Sequence, residues 1–253
     1  MKKPIGIILP ILILIAWEIA AQAINNQFIL PKLETVIPVL LHPTVDILGT
    51  GSLLHNALVS LERVGAGFLV ALVIAIPLGV GMGWSRRLEA FADTTVQLFR
   101  PIPPLAWGPL AIAWFSVGLS SMVFIIFLGA FFPILLNTID GVKSIKRTWV
   151  EVAQTLGATE RQILGKVVLP GAAPTIWTGL RVGFGIAWMC VIAAEWLPGT
   201  TSGLGYLTLY AYNFGQMQYI IAGMISIGII GIACDILFRW VEDRWFAWRG
   251  LER

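Results

Sequence analysis

The chain has 253 residues, of which 57% are hydrophobic and only 12% charged, with a mean hydropathy of +0.84. A soluble domain of this length does not carry so much apolar surface, so the composition excludes that class and indicates a polytopic membrane protein. The formal charge of +3 does not point to nucleic acid, because the basic residues sit at the ends of apolar runs.

Six apolar runs approach the roughly twenty residues that a spanning helix needs. The first, Ile5–Ile24, follows Lys2 and Lys3. Ala21-Gln22-Ala23 fits a secretory cleavage site, but the run is long for a signal, and a retained first span is expected. Residues 25–55, with Pro31, Pro38, Pro43, Gly49 and Gly51, are expected to form an external loop or surface segment. The second run is Val64–Trp84. The third is interrupted by proline and ends at Gly118. Its clean stretch, Leu105–Gly118, is too short for a bilayer. A helix starting near Asp93 and broken at Pro101, Pro103 and Pro104 is expected there, with a surface helix before a short span as the alternative. Met122–Ile139, Ile176–Ala194 and Ile220–Trp240 complete the set. A glycine- and tyrosine-rich segment, residues 197–216, precedes the last run. It is expected outside, either as an aromatic belt anchor or as a surface that meets a partner. Cys190 and Cys234 fall inside apolar runs, and the spacing supports neither a disulfide framework nor metal ligation. His42 and His55 lie outside the runs.

Between the fourth and fifth runs lies a charged stretch, about residues 141–170. Thr148-x-x-Glu151 has the form of a capping box, which predicts a helix from about Trp149. Gly157 suits the left-handed residue that ends such a helix. Thr159-x-x-Gln162 predicts a second capped start, and Pro170 a stop. The stretch is expected to form two short helices, with Val152, Leu156, Ile163, Leu164 and Val167 along one apolar side.

Lys and Arg orient the whole. Lys2, Lys3, Arg86, Arg87, Arg100, Lys143, Lys146, Arg147, Arg161, Lys166, Arg239, Arg244, Arg249 and Arg253 fall on one side. Only Lys32 and Arg63 fall on the other, and Arg181 lies within a span. The positive-inside rule places the first group, both termini and the capped stretch in the cytoplasm.

The segment Glu151-Val-Ala-Gln-Thr-Leu-Gly157, followed after nine residues by Val167-Val-Leu169-Pro170, resembles the EAA loop of ABC importer permeases. Val152 stands where that family usually has alanine, and Val167 where it has isoleucine. Further stretches resemble the nitrate, sulfonate, taurine and bicarbonate subgroup. They are Trp17-Glu18, Ser60-Leu-Glu-Arg63, Arg100-Pro-Ile-Pro-Pro104, Phe132-Pro133 with Asn137-Thr138, and Gly179-Leu-Arg181 with Ala194-Glu195. The resemblance implies an all-α membrane protein: one permease domain over residues 1–253, with the six transmembrane helices of the type I importer fold and a cytoplasmic coupling loop. It implies that Glu151, Ala153, Gly157, Leu169 and Pro170 couple to an ATPase. The chain itself is then no enzyme and binds no cofactor, and ATP and Mg sit on the partner. The implied partners are two ATPase subunits, a second copy or a similar permease, an extracytoplasmic binding protein and membrane lipid. The implied place is the cell membrane, and the implied cargo is a small oxyanion. Within the subgroup, a vitamin precursor is the runner-up.

Intramembrane charge is costly and marks functional candidates. Arg100, Asn137, Thr138 and Arg181 are the candidate lining of a path. Arg181 can alternatively snorkel to head groups. Glu18 and Glu195 repel an anion and are expected to pair structurally. Asp235 and Arg239 stand four apart and are expected to pair with each other. No Gly-rich Lys-Ser/Thr phosphate loop, metal-spaced His-Glu pair or GxSxG occurs. A passive channel would not need the capped loop, and an intramembrane enzyme would need a cluster of reactive groups.

Overall fold

The computed structural model describes residues 5–246. In chain order the helices are α1 (Ile5–Ile24), α2 (Leu33–Leu41), α3 (Leu53–Trp84), α4 (Arg86–Phe99), α5 (Gly108–Phe115), α6 (Leu119–Lys143), α7 (Arg147–Thr155), α8 (Glu160–Ile163), α9 (Leu169–Ala194), α10 (Leu204–Asn213) and α11 (Met217–Trp245). A 3₁₀ turn, Pro104–Trp107, precedes α5, and a π turn, Leu164–Val168, precedes α9. Among the described residues, four helices are long and apolar enough to cross a membrane: α3, α6, α11 and the continuous helix Glu160–Ala194. Ile8–Ile24 and Pro104–Phe115 are shorter apolar helices. Together they correspond to the six runs of the sequence.

The third run differs in detail from expectation. Its helix starts at Arg86, seven residues before Asp93, because the Ser85 hydroxyl accepts the Leu88 N–H and caps it. The helix ends at Phe99, just before the proline cluster. Pro104 then opens the 3₁₀ turn, and Gly108 begins α5. A separate amphipathic helix therefore precedes a short apolar one, in place of a single broken span.

The chain divides into two compact units. Among the described residues, one comprises 5–61 and 200–230, the other 62–199 and 231–246. In the first, the Glu18 carboxylate accepts the Leu33 N–H at 3.0 Å and so caps α2 from α1. Trp17 Nε1 donates to the Pro31 carbonyl at 3.0 Å. Asn56 is fully buried: its Oδ1 accepts the Gly203 N–H at 2.7 Å, and its Nδ2 donates to the Ser52 carbonyl at 2.9 Å. The Ser60 hydroxyl accepts the Leu204 N–H at 2.9 Å. These two side chains satisfy backbone donors at the start of α10, which helical bonding leaves orphaned. Leu204, Leu207 and Ala211 are buried while Tyr212 is exposed, so α10 is a helix packed along one side.

The second unit is built on the pairing of α6 with α9. Small residues let the backbones approach closely, which is how helices gain packing energy when lipid supplies no hydrophobic drive. A Cβ on Gly179 would sit 2.5 Å from Asn137 Cβ, and one on Gly183 would sit 2.9 Å from Ile134 Cγ1. On the other side of α6, Gly67, Gly79 and Gly83 of α3 leave equally little room beside Ile126, Thr138 and Val142. Gly179→Val is therefore expected to lower the midpoint of heat aggregation in detergent by several degrees. Gly185→Ala, where a Cβ meets nothing within 4 Å, should leave it unchanged. Equal midpoints for the two variants would contradict the close α6–α9 packing.

Candidate functional site

The capped stretch forms α7, a turn, α8 and the π turn. Thr148 caps nothing: α7 starts at Arg147, two residues early for the expected box, with no side-chain cap at Lys146. The Glu151 carboxylate is instead engaged four residues back, accepting from Arg147 Nε at 2.9 Å. The second box forms as expected: Thr159 accepts the Gln162 N–H, and the Gln162 side chain accepts the Thr159 N–H at 2.9 Å. Gly157 has φ +78, the left-handed conformation. Its N–H bonds the Gln154 carbonyl, and that of Ala158 bonds Ala153.

Pro170 does not stop a helix. It lies in the first turn of α9, directly after the π turn. A proline removes one N–H and clashes with the carbonyl four residues back. The Leu169 N–H reaches to Leu164, five residues back. That wider turn gives the ring room, so the helix runs on from α8 into α9.

The expected apolar side divides in two. Ile163, Leu164 and Val167 pack inward with Val142, Val168 and Ala172, and Ala153 packs against the same cluster. Val152 and Leu156 point outward, 54% and 83% exposed. Trp149, Val152 and Leu156 thus form an open apolar stripe that ends at Gly157. Glu151 is exposed beside it, while Leu169 and Pro170 lie at the base of the loop.

A second feature is a cleft of about 620 Å³ lined by Arg100, Ile102 and Pro104, by Gly129, Phe132, Asn137 and Asp140 of α6, and by Val182 and Ile186 of α9. Asn137 Nδ2 donates to the Pro133 carbonyl at 2.8 Å, leaving its oxygen directed elsewhere. Of the residues expected along a path, Arg100 and Asn137 meet here. Thr138 and Arg181 do not line it. Thr138 is fully buried and donates to the Ile134 carbonyl at 2.7 Å. Arg181 lines a separate small pocket with Asp235 and Phe238. Its Nε donates to Asp235 at 2.6 Å, and its Nη1 lies 3.7 Å from Glu242. Asp235 also accepts from Arg239 at 2.9 Å, the pair expected from their spacing. Glu195, fully buried, takes Arg63 Nη1 at 2.9 Å. Asp140 was not among the sequence candidates. Its signal is the three-residue step from Asn137, which puts both on one face of α6.

Comparison with known proteins agrees with this geometry. The chain is 56% identical to a provisionally named ABC transporter permease protein of Methanocaldococcus jannaschii, over 95% of this chain and 90% of that one. It is 34% identical to the taurine transport system permease protein of Escherichia coli, over 96% and 88%. It is 36% identical to the bicarbonate transport system permease protein of Synechococcus elongatus, over 96% and 91%. In fold it matches a chain of the MetNI methionine ABC transporter in an inward-facing form. The TM-score is 0.58 and the identity 22%, covering 72% of this chain and 92% of that one. Residues 71–246 match the family described as the binding-protein-dependent transport system inner membrane component. A multi-pass membrane chain with an exposed apolar stripe on the loop between α6 and α9 therefore belongs to that family, the permease components of ABC importers.

Proposed function

We propose that this chain imports a small oxyanion, such as a sulfonate, nitrate or bicarbonate, which an extracytoplasmic binding protein delivers. The power comes from ATP hydrolysis on partner subunits. The observation that carries the coupling half is the exposed stripe Trp149, Val152, Leu156, ending at Gly157. Exposed apolar side chains on a loop between spans mark a protein contact. Glu151, Ala153, Gly157, Leu169 and Pro170 are the residues of that loop that couple to the ATPase in this reading. ATP and Mg bind on the ATPase partner. Two such partners and two permease chains, identical or similar, make up the machine. The cargo half rests on likeness to the taurine and bicarbonate permeases and on Arg100 in the cleft, since a guanidinium offers paired donors to an oxyanion.

The deciding assay reconstitutes the chain with its ATPase and binding protein in vesicles. Hydrolysis should rise with an oxyanion-loaded binding protein. Stimulation by a vitamin-precursor-loaded protein alone would overturn the cargo assignment.

Both termini and the docking loop face the cytoplasm in this proposal. In a background with Cys190 and Cys234 replaced by alanine, cysteines at Thr44 and Thr201 should react with an impermeant thiol reagent applied outside. A cysteine at Ser144 should not. External labelling at Ser144 would reverse the orientation.

A further inference from the structure

The cleft holds two opposite charges, Arg100 and Asp140, with the Asn137 amide on the same lining. Neither charged side chain has a hydrogen bond or ion pair among the described residues, and no salt bridge joins the two across the cleft, so their charged atoms stand more than 4.0 Å apart. The neighbouring charges are already engaged: Lys143, one turn beyond Asp140, pairs with Glu89. The wall between the two charges is apolar, made by Ile102, Pro104, Phe132, Val182 and Ile186.

From this arrangement we infer that the cleft selects a small zwitterion, a compound with an oxyanion at one end, an ammonium at the other and a short alkyl link between. Arg100 takes the oxyanion, Asp140 takes the ammonium, and the apolar wall takes the link. The inference rests on the oxyanion proposal and narrows it to amino-sulfonates and their like. A simple anion such as bicarbonate or nitrate would gain from Arg100 but be opposed by the Asp140 carboxylate. Asp140 is thus a specificity-determining residue, because like charges in one cleft reject a partner as effectively as opposite charges attract one. Both groups are exposed to solvent, so each contributes modestly and cargo can still leave.

The test uses the permease–ATPase complex in lipid nanodiscs, without a binding protein, with taurine and 1-propanesulfonate as probes. The two are nearly the same size and differ by the ammonium. Saturation-transfer NMR titrations give their relative affinities. The wild type should prefer taurine by about fivefold, the value of one exposed ion pair. Asp140→Asn should erase that preference by weakening taurine and strengthening propanesulfonate. Arg100→Gln should weaken both. If Asp140→Asn leaves the ratio unchanged, or the wild type prefers propanesulfonate, the zwitterion assignment is overturned. The oxyanion proposal survives in that case provided Arg100→Gln still weakens both probes. Absence of transfer from either probe in the wild type also overturns the zwitterion assignment, and the vesicle assay above then judges the oxyanion proposal on its own.

Discussion

Gly157→Arg should leave the chain folded in the membrane while its ATPase no longer copurifies and cargo no longer stimulates hydrolysis. A Cβ at Gly157 would meet nothing of this chain within 4 Å, so an added side chain disturbs no internal packing. Two effects remain. One is backbone strain from φ +78, which any L-residue meets but which Asn tolerates well. The other is the bulk and charge placed at the tip of the apolar stripe, where a docked partner must come close. Gly157→Asn separates them. It should retain most coupling, whereas Gly157→Arg should lose about thirtyfold in ATPase affinity, the scale of an interface hot spot of about 2 kcal/mol. Wild-type transport by the arginine variant would remove the docking assignment. Equal loss in both variants would move the cause from the partner surface to the turn itself.

The second large effect is expected at Arg63. Glu195 has no exposure and Arg63 only 13%. Removing the guanidinium from a buried carboxylate typically costs about 3–5 kcal/mol, far more than the pair contributes as a whole, because the charge that stays behind has lost its water. Arg63→Ala should therefore cut the yield of folded protein and lower its heat-aggregation midpoint sharply, and Arg63→Lys should restore part of both. The pair Arg147–Glu151 is a useful contrast, since its side chains are 90% and 58% exposed. Glu151→Ala should barely move the midpoint, because exposed pairs contribute little. Similar midpoints for Arg63→Ala and Glu151→Ala would mean that the Glu195 site is better solvated than its burial implies.

What the sequence made legible follows from which signals have a single physical cause. The number of apolar runs and the position of the charged loop between the fourth and fifth depend only on bilayer thickness and composition, and both appear in the structure. Gly157 was readable because few residues other than glycine enter the left-handed region cheaply. The Thr159–Gln162 box was readable because both halves of the motif serve the same helix start. Thr148–Glu151 has the same spacing, but the chain turns helical at Arg147, before the threonine can act, and Glu151 finds Arg147 instead. Pro170 was misread because the rule that proline ends a helix assumes an α turn before it, and no local signal announces a π turn. The start of α4 was missed because Arg86 and Arg87 hide an amphipathic pattern from a search for apolar runs. Arg181 could not be assigned from sequence, since its partners Asp235 and Glu242 lie more than fifty residues away. Asp140 lies just beyond the fourth apolar run, Met122–Ile139, and was not singled out. Only the packing of α6 beside α9, with Arg100 brought to the same cleft, gives it a place among the site residues.

The π turn has a mechanical consequence. Since it admits Pro170 without a break, the chain from Glu160 to Ala194 is one rod of 35 residues, about 52 Å long. Its near end carries the inward-packed Ile163 at the base of the capped loop, and its far part lies against the cleft through Val182 and Ile186. Tilt or axial twist at the loop end therefore reaches the cleft wall through one continuous helix, softened only where its hydrogen bonding departs from the α pattern, at the turn Leu164–Val168 and at Pro174.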